Sequence, residues 1–391
     1  MSRAGSIVAK PKSVVGLDVG KASHWAFYVD GDGEVLVNEQ VANREAALDD
    51  LFARVAPGTT AVVDQVRNIG ALAIARARAA GLEVAYLPGL AEHNAAKLFA
   101  GDAKTDQRDA EVIAKTALGI PDALRPVPGG SELADAARRL ASQRDFLVKR
   151  TTQNRNRLRA ILLESCPEFE SLVRLDDDSQ LNLLAKVGGP WQIADAGPRT
   201  VGALTRGADR EKIDALVSST STSTRPIDPV VEAEGRSVRE LAASISRDAA
   251  GAGSLDEAIA ELLSQDVTFG CLMTVPGIGV RTATELITAI DVSCFKDHSK
   301  LASYCGLAPK DSKSGSSISS TTASRQGNKR LKNLLIFSCN SLCGSQNRFG
   351  EYYRMLKDVR HMPHGKALKA VARKRLKVIY AIMRDKVPYA A

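Results

Sequence analysis

Val14-Val15-Gly16-Leu17-Asp18 is a short apolar run closed by a carboxylate, and the residues after it decide the fold. Residues 25–30 read as a second strand and residues 34–37 as a third. Gly31-Asp32-Gly33 between them is a strong hairpin signal. Residues 43–55 have helical spacing, and residues 60–64 are a buried strand ending in Asp64. An Ala-rich helix over 69–80 stops at Gly81, a natural residue for a helix C-terminus. A strand over 83–87 closes at Pro88-Gly89. A helix near 91–99, a loop at Gly101 and a helix from Asp106 to about Leu118 follow. Three antiparallel strands followed by alternating helices and strands predict a mixed α/β sheet in the order of the ribonuclease H fold.

Four carboxylates stand at informative places in that order. Asp18 and Asp64 each close an apolar run. Asp106 and Asp109, in Lys104-Thr105-Asp106-Gln107-Arg108-Asp109-Ala110, are three apart at a helix start and share one face. Carboxylates on neighbouring strand ends and one helix face converge on hard divalent cations, Mg²⁺ or Mn²⁺, and paired metals serve phosphoryl transfer. Taken singly, each aspartate also reads as an ordinary turn or cap residue.

Composition narrows the function classes. A chain of 391 residues predicts two or three domains. No apolar run reaches the ~18 residues a membrane span needs, and residues 1–12 lack the apolar core of a secretory signal. Six cysteines are scattered without a CxxC pair, which fits a reducing cytoplasm. The charge is uneven. Residues 271–391 hold 21 Lys+Arg against 7 Asp+Glu, so of the chain totals of 53 and 45 the first 270 residues hold 32 and 38. A metal-binding acidic part and a polyanion-binding basic part follow from that asymmetry.

Residues 131–166 form one long helical pattern with Ser131 as N-cap and Pro167 as its stop. A thin apolar stripe with eight basic residues and one acidic between Arg138 and Arg159 suggests a coiled-coil arm facing nucleic acid. Its candidate contacts are Arg138, Arg139, Lys149, Arg150, Arg155, Arg157 and Arg159. Residues 168–230 are weakly patterned, and the Ser/Thr run at 218–224 reads as a flexible linker. A second helical pattern over 237–263, interrupted at Gly251-Ala252-Gly253, is placed antiparallel to the first, with 177–225 inserted at the tip of the arm.

Val275-Pro276-Gly277-Ile278-Gly279 before Thr282-Ala283-Thr284-Glu285-Leu286 is similar to a helix-hairpin-helix turn, in which Gly277 and Gly279 let the backbone approach phosphates. An ordinary Pro-Gly turn is the alternative. After Tyr304-Cys305-Gly306-Leu307-Ala308-Pro309, residues 310–324 read as a polar serine-rich loop. It is either plain loop or the carrier of a hydroxyl nucleophile beside cations. Residues 325–330 lead into an apolar helix. The last basic segment, 366–386, presents Lys369, Arg373, Lys374 and Arg375 as phosphate contacts.

Together, Gly16-Leu17-Asp18-Val19, Ala61-Val62-Val63-Asp64, the Lys104–Ala110 run, Val275-Pro276-Gly277-Ile278-Gly279 and Gly306-Leu307-Ala308-Pro309 resemble the DEDD-type insertion-sequence transposases, relatives of the Piv DNA invertase described as bridge-RNA-guided recombinases. The resemblance covers nearly the whole chain in order. It implies a RuvC-like N-terminal domain whose four metal-binding acids are Asp18, Asp64, Asp106 and Asp109; the family usually has Glu at the position of Asp64. It implies a serine nucleophile just before a glycine, here Ser314-Gly315, with Ser312 as runner-up. Lys313 and Lys104, together with Arg325, Lys329 and Arg330 of the Arg/Lys-x-Gly-Asn segment, are its basic contacts. It further implies a covalent DNA–serine intermediate, a homo-oligomer assembling from dimer to tetramer, double-stranded target and donor DNA, and an element-encoded noncoding RNA in a bacterial cytoplasm at the nucleoid.

The expected architecture is therefore α/β plus α. Residues 1–125 form the RuvC-like domain, residues 126–270 the helical coiled-coil arm with its insertion, and residues 271–391 a mainly helical transposase domain with the helix-hairpin-helix-like turn and serine loop. The residues themselves leave three other readings open. One is a RuvC-like nuclease using water. Another is a phosphotransferase of the actin-like or sugar-kinase fold, because Gly16-Leu17-Asp18-Val19-Gly20-Lys21 also resembles an Asp-x-Gly phosphate turn. The third is a non-catalytic RNA-binding protein.

Overall fold

Hydrophobic residues of β1 (Val14–Asp18) build the sheet from its middle. The computed structural model describes residues 10–99, 105–127, 132–205, 210–314, 318–323 and 327–390, with backbone alone at 309–314 and 318–323. β2 (Ser23–Val29) and β3 (Val35–Ala42) pair antiparallel on one side of β1. After α1 (Glu45–Ala53), β4 (Thr60–Val63) pairs parallel on the other side. α2 (Ala71–Ala79) leads to β5 (Glu83–Tyr86), parallel to β4. α3 (Gly89–Ala96) and α4 (Asp106–Gly119) precede the two-residue edge strand β6 (Arg125–Pro126). The order β3-β2-β1-β4-β5-β6 is the mixed α/β sheet the sequence predicts. β3 runs to Ala42, past the expected end, because Val37 and Val41 both reach the core.

The two faces carry separate cores. Val15, Leu17, Ala61 and Val63 pack on Leu48, Leu51 and Phe52 of α1 and Ala73, Ile74 and Ala77 of α2. Val14, Phe27, Val62 and Ala85 pack on Ala110, Ile113, Ala114 and Ala117 of α4. The period of two in a strand therefore puts residues 14, 16 and 18 on the α4 face. Gly16 makes that packing close: a Cβ there would lie 2.7 Å from both the Ala110 carbonyl oxygen and the Ala114 nitrogen.

α5 (Glu132–Ser165) and α10 (Asp228–Leu262) are single helices of 34 and 35 residues. Their contacts run antiparallel: Arg144 to Asp256, Arg150 to Asp248, Asn154 to Ser244 and Ser165 to Glu234. The break expected at Gly251-Ala252-Gly253 is absent. α10 continues through it, and Leu147 Cδ1 lies 3.1 Å from where a Gly251 Cβ would sit. Ser131 lies outside the described residues. Between the long helices come α6 (Pro167–Leu172), α7 (Asp178–Lys186), α8 (Pro190–Leu204) and α9 (Arg210–Ser218). They close on Leu158, Leu162, Val238, Ala242 and Ile245 to make one core. The expected linker at 218–224 is instead anchored there: Ser219 and Thr220 are buried, and the Cys166 thiol faces the Ser219 carbonyl at 3.6 Å.

The remainder is mostly helical: α11 (Val267–Met273), α12 (Val280–Ala289), α13 (His298–Tyr304), then α14 (Lys329–Phe337), α15 (Arg348–Arg354) and α16 (His364–Asp385). The expected polar loop is an antiparallel hairpin of β7 (Pro309–Ser314) and β8 (Ile318–Ala323). Thr and Ile in the second strand favour extended backbone. Contacts divide the chain into two units, one drawn from Met1–Gly129, Ala289–Lys332 and Ala372–Arg384, the other from Gly130–Thr288, Asn333–Val371 and Asp385–Ala391. No helix among the described residues is long and apolar enough to cross a membrane.

Candidate active site and nucleic-acid contacts

Asp18 and Asp64 end neighbouring parallel strands, one residue beyond the Leu17–Val63 pair of the β1–β4 register. The backbone N–H of Val19 donates to Asp64 Oδ1 at 3.2 Å, tying the two strand ends together. Asp109 comes from α4, which Gly16 allows to lie close on β1. Asp18, Asp64 and Asp109 are all half-buried. Burial holds the Asp64 carboxyl above its ordinary range; the Val19 N–H pulls it back, and the nearby negative charge of Asp109 adds to the rise. Asp106 sits one turn before Asp109 and is exposed. It is not the helix cap. Thr105 is, its side chain accepting from the Arg108 N–H at 3.2 Å, so the Asp106 carboxylate is not used in capping. Among the described residues, no group of three or more His, Cys, Asp or Glu side chains stands close enough to hold a metal ion. The donor chemistry nevertheless suits a hard cation. The Asp64 carboxylate, held by the Val19 N–H, feels the like charge of Asp109, which a divalent ion relieves.

Sequence reasoning missed the turn that follows Asp18. The Gly20 N–H donates to Nδ1 of His24 at 3.2 Å, and His24 is buried. Asn43 holds the same turn from the end of β3: its backbone N–H donates to the Ala22 carbonyl at 2.9 Å and its Nδ2 to the Lys21 carbonyl at 3.1 Å. Burial pushes the His24 imidazole below its ordinary pKa, with Asn43 opposing. The only sequence signal was a histidine alternating inward on β2.

Ser314 ends β7, paired with Ile318, and Ser312 pairs with Ser320. The side chains of Ser312, Ser314 and Lys313, and all of Lys104, Gly315 and Arg325, lie outside the described residues. The base of the hairpin is well defined. Gly327 has φ +101°, and a Cβ there would lie 2.8 Å from the Gly306 nitrogen and the Tyr304 carbonyl oxygen. Asn328 donates its N–H to that same carbonyl at 2.7 Å, while its side chain caps α14 through the N–H groups of Arg330 and Leu331. The Gly306-Leu307-Ala308 and Gly327-Asn328 segments are thus two sides of one clasp. Lys329 and Arg330 follow it, exposed.

The turn at Val275–Gly279 joins α11 to α12. Val275 and Ile278 are buried and Gly279 is exposed, with Gly277 in the left-handed region at φ 76°. The cations of α5 divide into two sets. Arg138 pairs with Asp135, Arg150 with Asp248 and Arg159 with Glu170. Arg144, outside the candidate set, pairs with Asp256 at 3.1 Å. Arg155 is half-buried, whereas Arg139, Lys149 and Arg157 are exposed. In α16, Lys369, Arg373 and Lys374 are exposed, but Arg375 is 0 % exposed, so its side chain is not presented to a nucleic acid. It falls on the inward face with Val371, Leu376 and Ile379.

Comparison with known proteins fits this site. Residues 15–167 match a family described as transposase, of the DEDD IS110 type, and residues 270–354 match the transposase IS116/IS110/IS902 family. The chain is 34% identical to the insertion element IS110 43.6 kDa protein of Streptomyces coelicolor over 95% of this chain and 94% of that one. It is 30% identical to the insertion element IS900 42 kDa protein of Mycobacterium paratuberculosis, covering 96% of each. A stretch of 125 residues is 37% identical to the pilin gene-inverting protein of Moraxella bovis, covering 30% of this chain and 37% of that one. The chain belongs to the IS110/IS116 family of insertion-sequence transposases, enzymes of DNA recombination.

Proposed function

We propose that this chain is a Mg²⁺- or Mn²⁺-dependent recombinase that moves its insertion element through a serine-linked DNA intermediate, guided by a noncoding RNA of the element. The observation that supports the reading is that Asp18 and Asp64 end neighbouring strands and that Asp109 of α4 is near enough for its charge to raise the Asp64 carboxyl. With Asp106 they would hold the cation, which polarises a scissile phosphate when bound. Ser314, with Ser312 as runner-up, supplies the hydroxyl that attacks phosphorus and becomes joined to one DNA end, while the other end leaves as a free hydroxyl. Gly306 and Gly327 fix the base of its hairpin.

Exposed Arg139, Lys149 and Arg157, the Gly277–Gly279 turn and the outer face of α16 serve the polyanions, double-stranded target and donor DNA and the RNA. We read residues 1–125, 126–270 and 271–391 as RuvC-like domain, coiled-coil arm with inserted lobe, and transposase domain with a helix-hairpin-helix turn. The working form is a dimer assembling to a tetramer on the bacterial nucleoid.

The test uses a plasmid carrying the gene for this chain with its native flanking DNA. Excision of the element and protein-linked DNA on a denaturing gel are scored for the parent and for Asp109→Asn. Loss of both in Asp109→Asn supports the reading. Cleavage without any protein-linked DNA in the parent favours a nuclease that uses water, and full excision by Asp109→Asn removes the aspartates from the chemistry.

A further inference from the structure

The turn after Asp18 is over-determined for a simple connection between two strands. A Cβ on Gly20 would lie 2.3 Å from the Ser23 carbonyl oxygen, so only glycine closes it. Its backbone is tied inward at four points. The Val19 N–H goes to Asp64 Oδ1 and the Gly20 N–H to His24 Nδ1, while the Lys21 carbonyl accepts from Asn43 Nδ2 and the Ala22 carbonyl from the Asn43 N–H. This arrangement rules out the phosphate turn of actin-like ATPases for Asp18-Val19-Gly20-Lys21, because the Val19 and Gly20 N–H groups such a turn offers to phosphate are already donated within the protein.

One group is left facing solvent. The Lys21 side chain is exposed and, among the described residues, pairs with no carboxylate, although Asp18 is three residues away. A backbone pinned on both sides has no main-chain freedom left to lose when the cation binds an anion, so only the side chain remains to be ordered. An exposed ammonium on the turn that directly follows Asp18, paired with no carboxylate among the described residues, is placed for an incoming negative group.

We propose that the β1–β2 turn is a phosphate clamp, in which Lys21 contacts a nucleic-acid phosphate flanking the one at the aspartates and His24 and Asn43 act as positioning residues that hold Lys21 in place. The chemistry recognised is a phosphodiester backbone, read without regard to base. His24 acts as an acceptor at Nδ1, so it works as the neutral imidazole with its proton on Nε2. The inference rests on the recombinase reading of the aspartates.

The experiment uses the full-length protein with a fluorescently labelled DNA duplex of mixed sequence, in Ca²⁺ buffer over a salt series, together with the plasmid excision assay. Lys21→Gln should lower the slope of log affinity against log salt by about 0.9, the value for one fewer neutralised phosphate. It should reduce excision about tenfold, the effect of one charge-assisted hydrogen bond, with an unchanged melting temperature. Lys21→Arg should restore both. Asn43→Ser should lower the slope in the parent but not in Lys21→Gln, a coupling that a merely structural role would not produce. If Lys21→Gln keeps the parent slope and excision while Asp109→Asn abolishes excision, the clamp is wrong and the recombinase reading stands. If Asp109→Asn excises normally, the recombinase reading falls and the salt slope still decides the role of Lys21.

Discussion

Val19 donates its backbone N–H to the carboxylate of Asp64, 45 residues away, and so locks the end of β1 to the end of β4. The bond stabilises the charged form of Asp64, yet burial and the charge of Asp109 still hold its carboxyl above the ordinary value of 3.8. A carboxyl raised in the fold binds its proton more tightly there than in the unfolded chain. Its contribution to stability is full below the unfolded value and is lost as pH rises through the folded one. Metal-free Asp64→Asn should therefore melt at or above the parent temperature at pH 7, with the advantage disappearing as the pH falls through the raised folded value towards 3.8. The same variant should not excise the element. Thermal melts across pH check the first outcome and the plasmid assay the second.

Gly16→Ala should be damaging from inside the sheet. The added methyl meets backbone of α4 at 2.7 Å on two atoms, neither the end of a flexible side chain. Overpacking of this kind costs about 1–3 kcal/mol, measurable by urea unfolding. Because the same close approach sets the position of Asp109, excision should fall more than stability alone explains. Parent-like stability and excision would show that α4 moves aside freely.

The ion pairs of α5 separate cations held within the fold from those left exposed. Asp248 is 3 % exposed and its partner Arg150 is 44 % exposed. Arg150 holds the Asp248 carboxyl below its ordinary range, so this pair stabilises above the unfolded carboxylate value and its contribution is lost as pH falls through the lower folded one. Arg150→Ala leaves a buried carboxylate unpaired and should lower the urea midpoint, by less than the loss of a fully buried pair because the arginine is partly solvated. Lys149→Ala and Arg157→Ala should leave urea midpoints unchanged and each flatten the salt dependence of nucleic-acid binding by about 0.9. Equal effects of all three on stability would erase the distinction.

Ser314 and Ser312 lie two residues apart on β7, so Ser314→Ala and Ser312→Ala are separate tests. Protein-linked DNA should vanish on a denaturing gel only for Ser314→Ala. Its persistence there, with loss in Ser312→Ala, would transfer the role to Ser312.

Gly327→Ala tests the clasp under the hairpin. With φ +101° and backbone of residues 303, 304 and 306 within 3 Å of the new methyl, it should lower stability by about 1–3 kcal/mol and abolish protein-linked DNA although Ser314 is intact. Unchanged cleavage would show that the hairpin works without its anchored base.

The strand ends were readable because β1 and β4 are apolar runs closed abruptly by aspartate, and burial on both faces leaves little other interpretation. The helix of Asp106 was readable from the pair of acids and its apolar stripe. The β7–β8 hairpin was not, since Ser and Lys dominate it and the clasp of Gly306 and Gly327 at its base is made only in the fold. The lobe of α6 to α9 escaped for a related reason. Its short helices are defined by a shared core with Leu158 and Val238, which local periodicity does not reveal. The basic count of α5 misled in part, because Asp248 and Asp256, which neutralise Arg150 and Arg144, lie about 100 residues further on. His24 and Asn43 were invisible as a pair for the same reason of distance.

The antiparallel course of α5 and α10 makes residues 132–262 an excursion that returns to where it left. Each helix spans about 50 Å at about 1.5 Å per residue. Adding about seven residues to both would carry the lobe of α6 to α9 about 10 Å farther from the Glu132 end of the pair while keeping every Arg–Asp rung below the insertion in register. The length of this helix pair can therefore be changed by paired insertion without altering a residue of β1, β4 or the β7–β8 hairpin, which makes span a trait that selection can tune separately.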